Sequence, residues 1–234
     1  MSIWTRITEA LKSLASGEGL SAVFDKLRTP PERSVAFTIA VIALAAKMAK
    51  ADGQVTRDEV TAMRQVFLIA REDEPGAARV FNLARQDVAG FEDYARRIRA
   101  MFSGQEACLT DLMEGLFYIA MADGAYHPAE DAFLTEVAGI LGLPQPEFAA
   151  LRARYVPDAP KDPWTVLGLP PGTPLDAARA QFRRLVRDTH PDAMIARGVP
   201  PEAVKLAERR MADINRAWDA IQNAHAGHVL QTGA

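Results

Sequence analysis

A seven-residue phrase that occurs twice constrains this chain more than any other feature. Lys47-Met48-Ala49-Lys50-Ala51-Asp52-Gly53 returns 71 residues later as Tyr118-Ile119-Ala120-Met121-Ala122-Asp123-Gly124, and each copy has an acid seven positions after its aspartate, Glu59 and Glu130. The surrounding text is helical in period and lacks the alternating β-branched runs of strands. Gly53 and Gly124 sit where a helix would close. Thr56 to Glu59 reads as a capping box, and Pro128 with Glu130 reads as the first turn of a new helix. Two helix–turn–helix units with matching turns predict a pseudo-symmetric, all-α domain of six or seven helices over residues 32–155.

The chain has 234 residues, more than one such domain needs, so a second module is expected. A boundary falls at residues 156–162, because Pro157, Pro160 and the adjoining Pro163 put three prolines in the nine residues 155–163, which suits a stiff linker. Before the main domain, residues 1–31 carry Ile3, Trp4, Ile7, Leu11 and Leu14 on one helical face, with Arg6 and Lys12 beside it. Three uses of that face are open: docking on the core, pairing with a second copy through residues 1–16, or peripheral contact with the inner face of a membrane. No signal peptide is legible. The most apolar run, residues 35–46, is about half the ~20 residues a bilayer crossing demands, so a buried core helix in a cytoplasmic chain is expected.

Composition excludes several classes. A net charge of -3 argues against a nucleic-acid binder, which needs a basic face. A single cysteine, Cys108, rules out an internal disulfide and a cysteine-based zinc cluster, and its apolar surroundings read as core. His190 with Asp192, or His127 with nearby acids, would be the only acid–base pairs for an enzyme, and no nucleophile motif or phosphate loop accompanies them.

The module over residues 163–226 reads as a helical hairpin, followed by a polar tail at 227–234. Leu175, Ala178, Phe182, Leu185 and Val186 form one face of its first long helix, while Arg179, Arg183 and Arg187 make a cationic stripe beside Arg184. Val204, Ala207, Met211, Ile214, Trp218 and Ile221 form the facing seam. His190-Pro191-Asp192 ends the first helix, because proline disfavours helical geometry in the residue before it. The tripeptide is therefore expected at the hairpin's exposed end.

These residues resemble the J domain of DnaJ-type co-chaperones. The match covers about residues 163–222: Pro163-Trp164-Thr165-Val166-Leu167-Gly168-Leu169, then Phe182-Arg183-Arg184-Leu185-Val186, the tripeptide, and Ile214-Asn215-Arg216-Ala217-Trp218-Asp219-Ala220-Ile221. The resemblance implies binding to a DnaK-type heat-shock ATPase, and stimulation of its ATP hydrolysis, through Arg179, Arg183, Arg184, Arg187, His190, Pro191 and Asp192. Asp188 departs from the family, which commonly carries Lys there. Neither the Cys-rich region nor the Gly/Phe-rich linker of DnaJ is present, and the clients are not legible. A C-terminal module after a helical domain, with the run Ala196-Arg197-Gly198-Val199-Pro200-Pro201-Glu202, resembles the DjlA-type co-chaperones, whose N-terminal membrane span has no counterpart in this sequence.

The acidic turns of residues 32–155 resemble the TerB-like domain of tellurite-resistance proteins. That likeness implies a divalent metal held by Asp52, Glu59, Asp123 and Glu130, whereas capping explains the same residues without one. A metal-binding stress-response protein is thus the alternative to a co-chaperone, which requires no cofactor.

Overall fold

The computed structural model describes residues 3–12, 19–26, 33–52, 57–87, 89–156 and 162–232. Every regular element among them is a helix. The chain runs through α1 (Ile3–Lys12), α2 (Ser21–Lys26), α3 (Arg33–Asp52), α4 (Arg57–Val66), α5 (Glu74–Gln86), α6 (Phe91–Met101), α7 (Glu106–Ala120), α8 (Pro128–Leu141) and α9 (Gln145–Tyr155). It continues through α10 (Pro163–Val166), α11 (Leu175–Thr189), α12 (Pro191–Ala196), a 3-10 turn (Pro201–Val204) and α13 (Lys205–Thr232). Seven of the described helices lie within residues 32–155, in line with the six or seven that the periodicity predicts. No described helix is long and apolar enough to cross a membrane.

A helix that is apolar all round has to be enclosed, and α3 is the axis of the fold. Each residue from Val35 to Ala46 is buried, and α1, α5, α6, α7 and α8 all pack against it. The two helices that end in the repeated phrase, α3 and α7, touch each other directly. A Cβ at Gly115 would lie 3.5 Å from Cγ1 of Val41, an ordinary van der Waals separation, so Gly115 faces Val41 where the two helices cross. The second turn also follows expectation: Gly124 takes φ +82° after α7, and Pro128 opens α8.

The amphipathic N-terminal stripe is consumed by this body. Ile3, Trp4, Ile7 and Leu11 are buried in the main core as α1 lies across α3 and α5, which is the docking use of the face; Leu14 falls outside the described residues. At the other end, α13 extends to Thr232, through most of the stretch expected to be a polar tail. One glycine, Gly227, costs a helix only about 1 kcal/mol relative to alanine and does not stop one whose other residues favour it.

Lys47, the first residue of the first phrase, has a structural use. Its Nζ donates to the carbonyls of Asp87 at 2.9 Å and Ala89 at 2.6 Å, and it lies 4.9 Å from the centre of the Tyr94 ring. The Asp87 carboxylate accepts from Ala89 N, Ser21 N and Tyr94 Oη, tying α2 to the junction of α5 and α6. Burial raises the Asp87 pKa, but these hydrogen bonds and Lys47 outweigh it and hold the group below its ordinary value. A depressed pKa gives stability that is present above the unfolded value of about 4 and lost as pH falls through the folded one. Asp87→Ala is therefore expected to cost about 1 kcal/mol at neutral pH, discounted for the residue's partial exposure. The deficit should shrink as both proteins are acidified below about pH 4. Urea melts of both proteins from pH 7 to pH 3 check this, and a deficit that persists unchanged in acid would contradict it.

Candidate partner-binding surface

The C-terminal hairpin is held together by its own small core. Val166, Leu167, Ala178, Ile214, Ala217, Trp218 and Ile221 are buried there with Ala153 of α9, and Phe182 stacks on Trp218 with ring centres 5.1 Å apart. Asp162 caps α10 by accepting from Thr165 N at 2.9 Å, and Gln181 Nε2 donates to the Leu167 carbonyl at 3.0 Å. These contacts fix which face of α11 turns outward.

The outward face is cationic. Arg179, Arg183, Arg184 and Arg187 are all exposed. Arg179 lies 3.9 Å from Asp176, and Arg184 donates to Gln181 at 3.0 Å. Arg183 and Arg187 have no acidic partner among the described residues. At the end of the stripe His190 leaves the helical region with ψ 135°, and Pro191 takes the first position of α12. The sequence predicts a helix stop at this proline. It also starts a helix, since its missing N–H is not needed there and its φ is already helical.

The His190 and Asp192 side chains are 61% and 90% exposed. His190 Nδ1 accepts from the Asp192 backbone N–H at 3.2 Å, so the neutral ring carries its proton on Nε2. The tripeptide therefore presents an N–H donor and a carboxylate on a backbone held by two helix ends. Behind it Thr189, Met194 and Val199 are buried, and Met194, Val199, Ala203, Leu206 and Ala207 join the core built around α3 and α7. The module thus divides its apolar residues between its own core and that of the helical body.

An ion network missed by sequence reasoning joins the two parts. Asp111 and Glu114 on α7 are fully buried. Arg210 Nε donates to Glu114 Oε2 at 2.7 Å and Arg210 Nη2 to Asp111 Oδ1 at 2.7 Å. Arg197 Nε donates to Asp111 Oδ2 at 2.6 Å, and Arg154 lies 3.6 Å from Glu114 Oε1. Burial would lower the Arg210 pKa, but Glu114 and Asp111 prevail and hold it well above the ordinary value. Arg154 shifts downward, because burial, with the neighbouring Arg210 charge adding to it, outweighs the pull of Glu114 and Asp213. The available signal was two acids three residues apart in the otherwise apolar run 107–120. Nearby, burial pushes the Cys108 thiol up to about 12, with Asp111 adding to the effect, so that cysteine is an unreactive core residue.

The carboxylates singled out for a metal are differently placed. Glu130 is buried and accepts from His127 N at 2.9 Å, as an N-terminal capping acid does; Asp123 accepts from Ala125 N at 2.9 Å and lies 3.7 Å from His127 Nε2. Both are engaged in shaping the turn, and among the described residues no three His, Cys, Asp or Glu side chains converge. Asp52 and Glu59 close α3 and lie in α4, and their side chains fall outside the described residues.

Fold and surface together define an all-α protein in which a helical body carries a hairpin with an exposed His-Pro-Asp tripeptide. Residues 38–153 match the family described as tellurite resistance protein TerB. The chain is similar to the co-chaperone protein DjlA of Vibrio parahaemolyticus, 26% identical and covering 85% of this chain and 81% of that one. It is likewise similar to the co-chaperone protein DjlA of Escherichia coli K12, 24% identical over 95% of this chain and 98% of the relative. No solved structure matches it. These similarities support a DjlA-type protein whose residues 38–153 are TerB-like.

Proposed function

We propose that this protein is a co-chaperone that docks on a DnaK-type heat-shock ATPase in the cytoplasm and accelerates its ATP hydrolysis. The observation that carries this reading is the tripeptide, exposed at its side chains yet fixed in backbone, at the end of an exposed cationic helix face. Arg179, Arg183, Arg184 and Arg187 steer and hold an acidic partner surface, and His190, Pro191 and Asp192 supply the contacts that trigger hydrolysis. The chain regulates another protein's catalysis and has no reaction of its own. Its DjlA relatives, named as co-chaperones, support the general role.

The test is single-turnover ATP hydrolysis by a cognate DnaK-type protein with and without the full chain. Acceleration is expected, and an unchanged rate would refute the reading. Reversing Arg183 and Arg187 to Glu should slow association about tenfold at low salt, because encounter between oppositely charged faces is electrostatically steered. The wild-type association rate should itself fall as salt rises. Stopped-flow association kinetics measure both, and a salt-independent wild-type rate would contradict steering.

A further inference from the structure

Arg197 occupies a position that the partner-binding surface does not explain. Its Nε donates to Asp111 Oδ2 at 2.6 Å, inside the TerB domain, while its Nη1 donates to the Asp188 carbonyl at 2.8 Å. That carbonyl is among the last of α11, which have no partner within the helix, and it lies two residues before His190. One planar guanidinium therefore joins a buried carboxylate of the body to the end of the helix that presents the tripeptide.

The segment around Arg197 is fixed on its other sides too. Met194 and Val199 are buried in the main core, and Val199 N donates to the Met194 carbonyl at 3.1 Å. Gly198 adopts φ +103°, and a Cβ there would lie 2.9 Å from Cβ of Arg33, so only glycine fits between this loop and α3. Meanwhile Arg183, Arg187, His190 and Asp192 all remain exposed. The TerB domain grips the back of the tripeptide segment and leaves its front free.

We infer that Arg197 is a positioning residue: through its bonds to Asp111 and the Asp188 carbonyl, the TerB domain sets the orientation in which the tripeptide meets the ATPase. This rests on the co-chaperone reading above. Because the cationic face is not part of the clamp, loss of Arg197 should leave docking intact and weaken what docking accomplishes. Asp111 keeps Arg210 as a partner when Arg197 is removed, so the fold should persist.

The experiment is a titration of the DnaK-type ATPase with full-length wild type, Arg197→Met, Arg197→Lys and Asp192→Asn, reading maximal acceleration, half-saturating concentration and melting temperature. Arg197→Met is expected to lower maximal acceleration about three- to tenfold while half-saturation moves less than about twofold. Arg197→Lys keeps a charge beside Asp111 but lacks the two-pronged group, and should remain impaired. Full acceleration by Arg197→Met, or complete rescue by Arg197→Lys, would overturn the inference. So would a loss confined to half-saturation, which would make Arg197 a docking contact. Should Arg197→Met melt early, the uncharged pair Asp111→Asn with Arg197→Gln carries the same expectation without an unpaired charge. Asp192→Asn separates the two claims. If it is inactive while Arg197→Met is normal, only the positioning role fails; if it is fully active, the co-chaperone reading and the inference fail together.

Discussion

Replacing Asp192 with Asn is expected to bring ATPase acceleration down to within about twofold of the unstimulated rate, while stability changes by no more than about 0.5 kcal/mol. The substitution preserves shape. The Asp192 carboxylate is 90% exposed and stands 3.7 Å from His190 Nδ1, beyond hydrogen-bonding distance, and the turn is held instead by the Asp192 N–H donating to that nitrogen. Asparagine retains this N–H and the Pro191 helix start, so α12 should form unchanged. What disappears is the tripeptide's negative charge, and with it the strongest acceptor the tripeptide can offer a partner. Single-turnover hydrolysis together with thermal melts of both proteins decides the matter. Equal acceleration by mutant and wild type would remove the tripeptide from the mechanism.

The second large effect is on stability. Arg210→Met is expected to cost about 3–5 kcal/mol, because it removes the shared partner of two fully buried carboxylates. Arg197 and Arg154 remain, but each reaches only one of them, Asp111 and Glu114 respectively. For a chain of this size that loss corresponds to a melting temperature lower by about 10 °C. Arg210→Lys should fall in between: the charge survives, yet one ammonium cannot reproduce the bonds that Nε and Nη2 divide between Glu114 and Asp111. Calorimetry on the three proteins tests the order. A Met variant as stable as wild type would mean that water reaches these carboxylates and that the network does not hold the module to the body.

Residues near one another in the chain accounted for most of what could be read in advance. The helix stop at His190-Pro191 follows from steric contact between adjacent residues, so it was visible without a fold, although the same proline's ability to begin α12 was overlooked. The repeated phrase predicts two turns for the same reason; the second is seen between α7 and α8, while Gly53 and Thr56 lie outside the described residues. The cationic stripe on α11 was predictable because a 3.6-residue period assigns residues to faces wherever a helix is placed.

Long-range partners were another matter. Periodicity showed that Ile3, Trp4, Ile7 and Leu11 share a face, but an apolar face has similar affinity for a core, a lipid surface or a second copy; packing across α3 and α5 settled its use. Nothing in the neighbouring sequence marks Arg197 or Arg210, since their partners on α7 lie 86 to 99 residues away. By itself, the sequence determined helices, turns, the cationic face and the exposed tripeptide, all products of local sterics and period. Only the tertiary structure decided that Asp111 and Glu114 are buried, that Arg197 and Arg210 must meet them, and that the hairpin is therefore fastened to the TerB domain. The physical reason is that the cost of burying a charge is set by what folds over it, which no window of neighbouring residues contains.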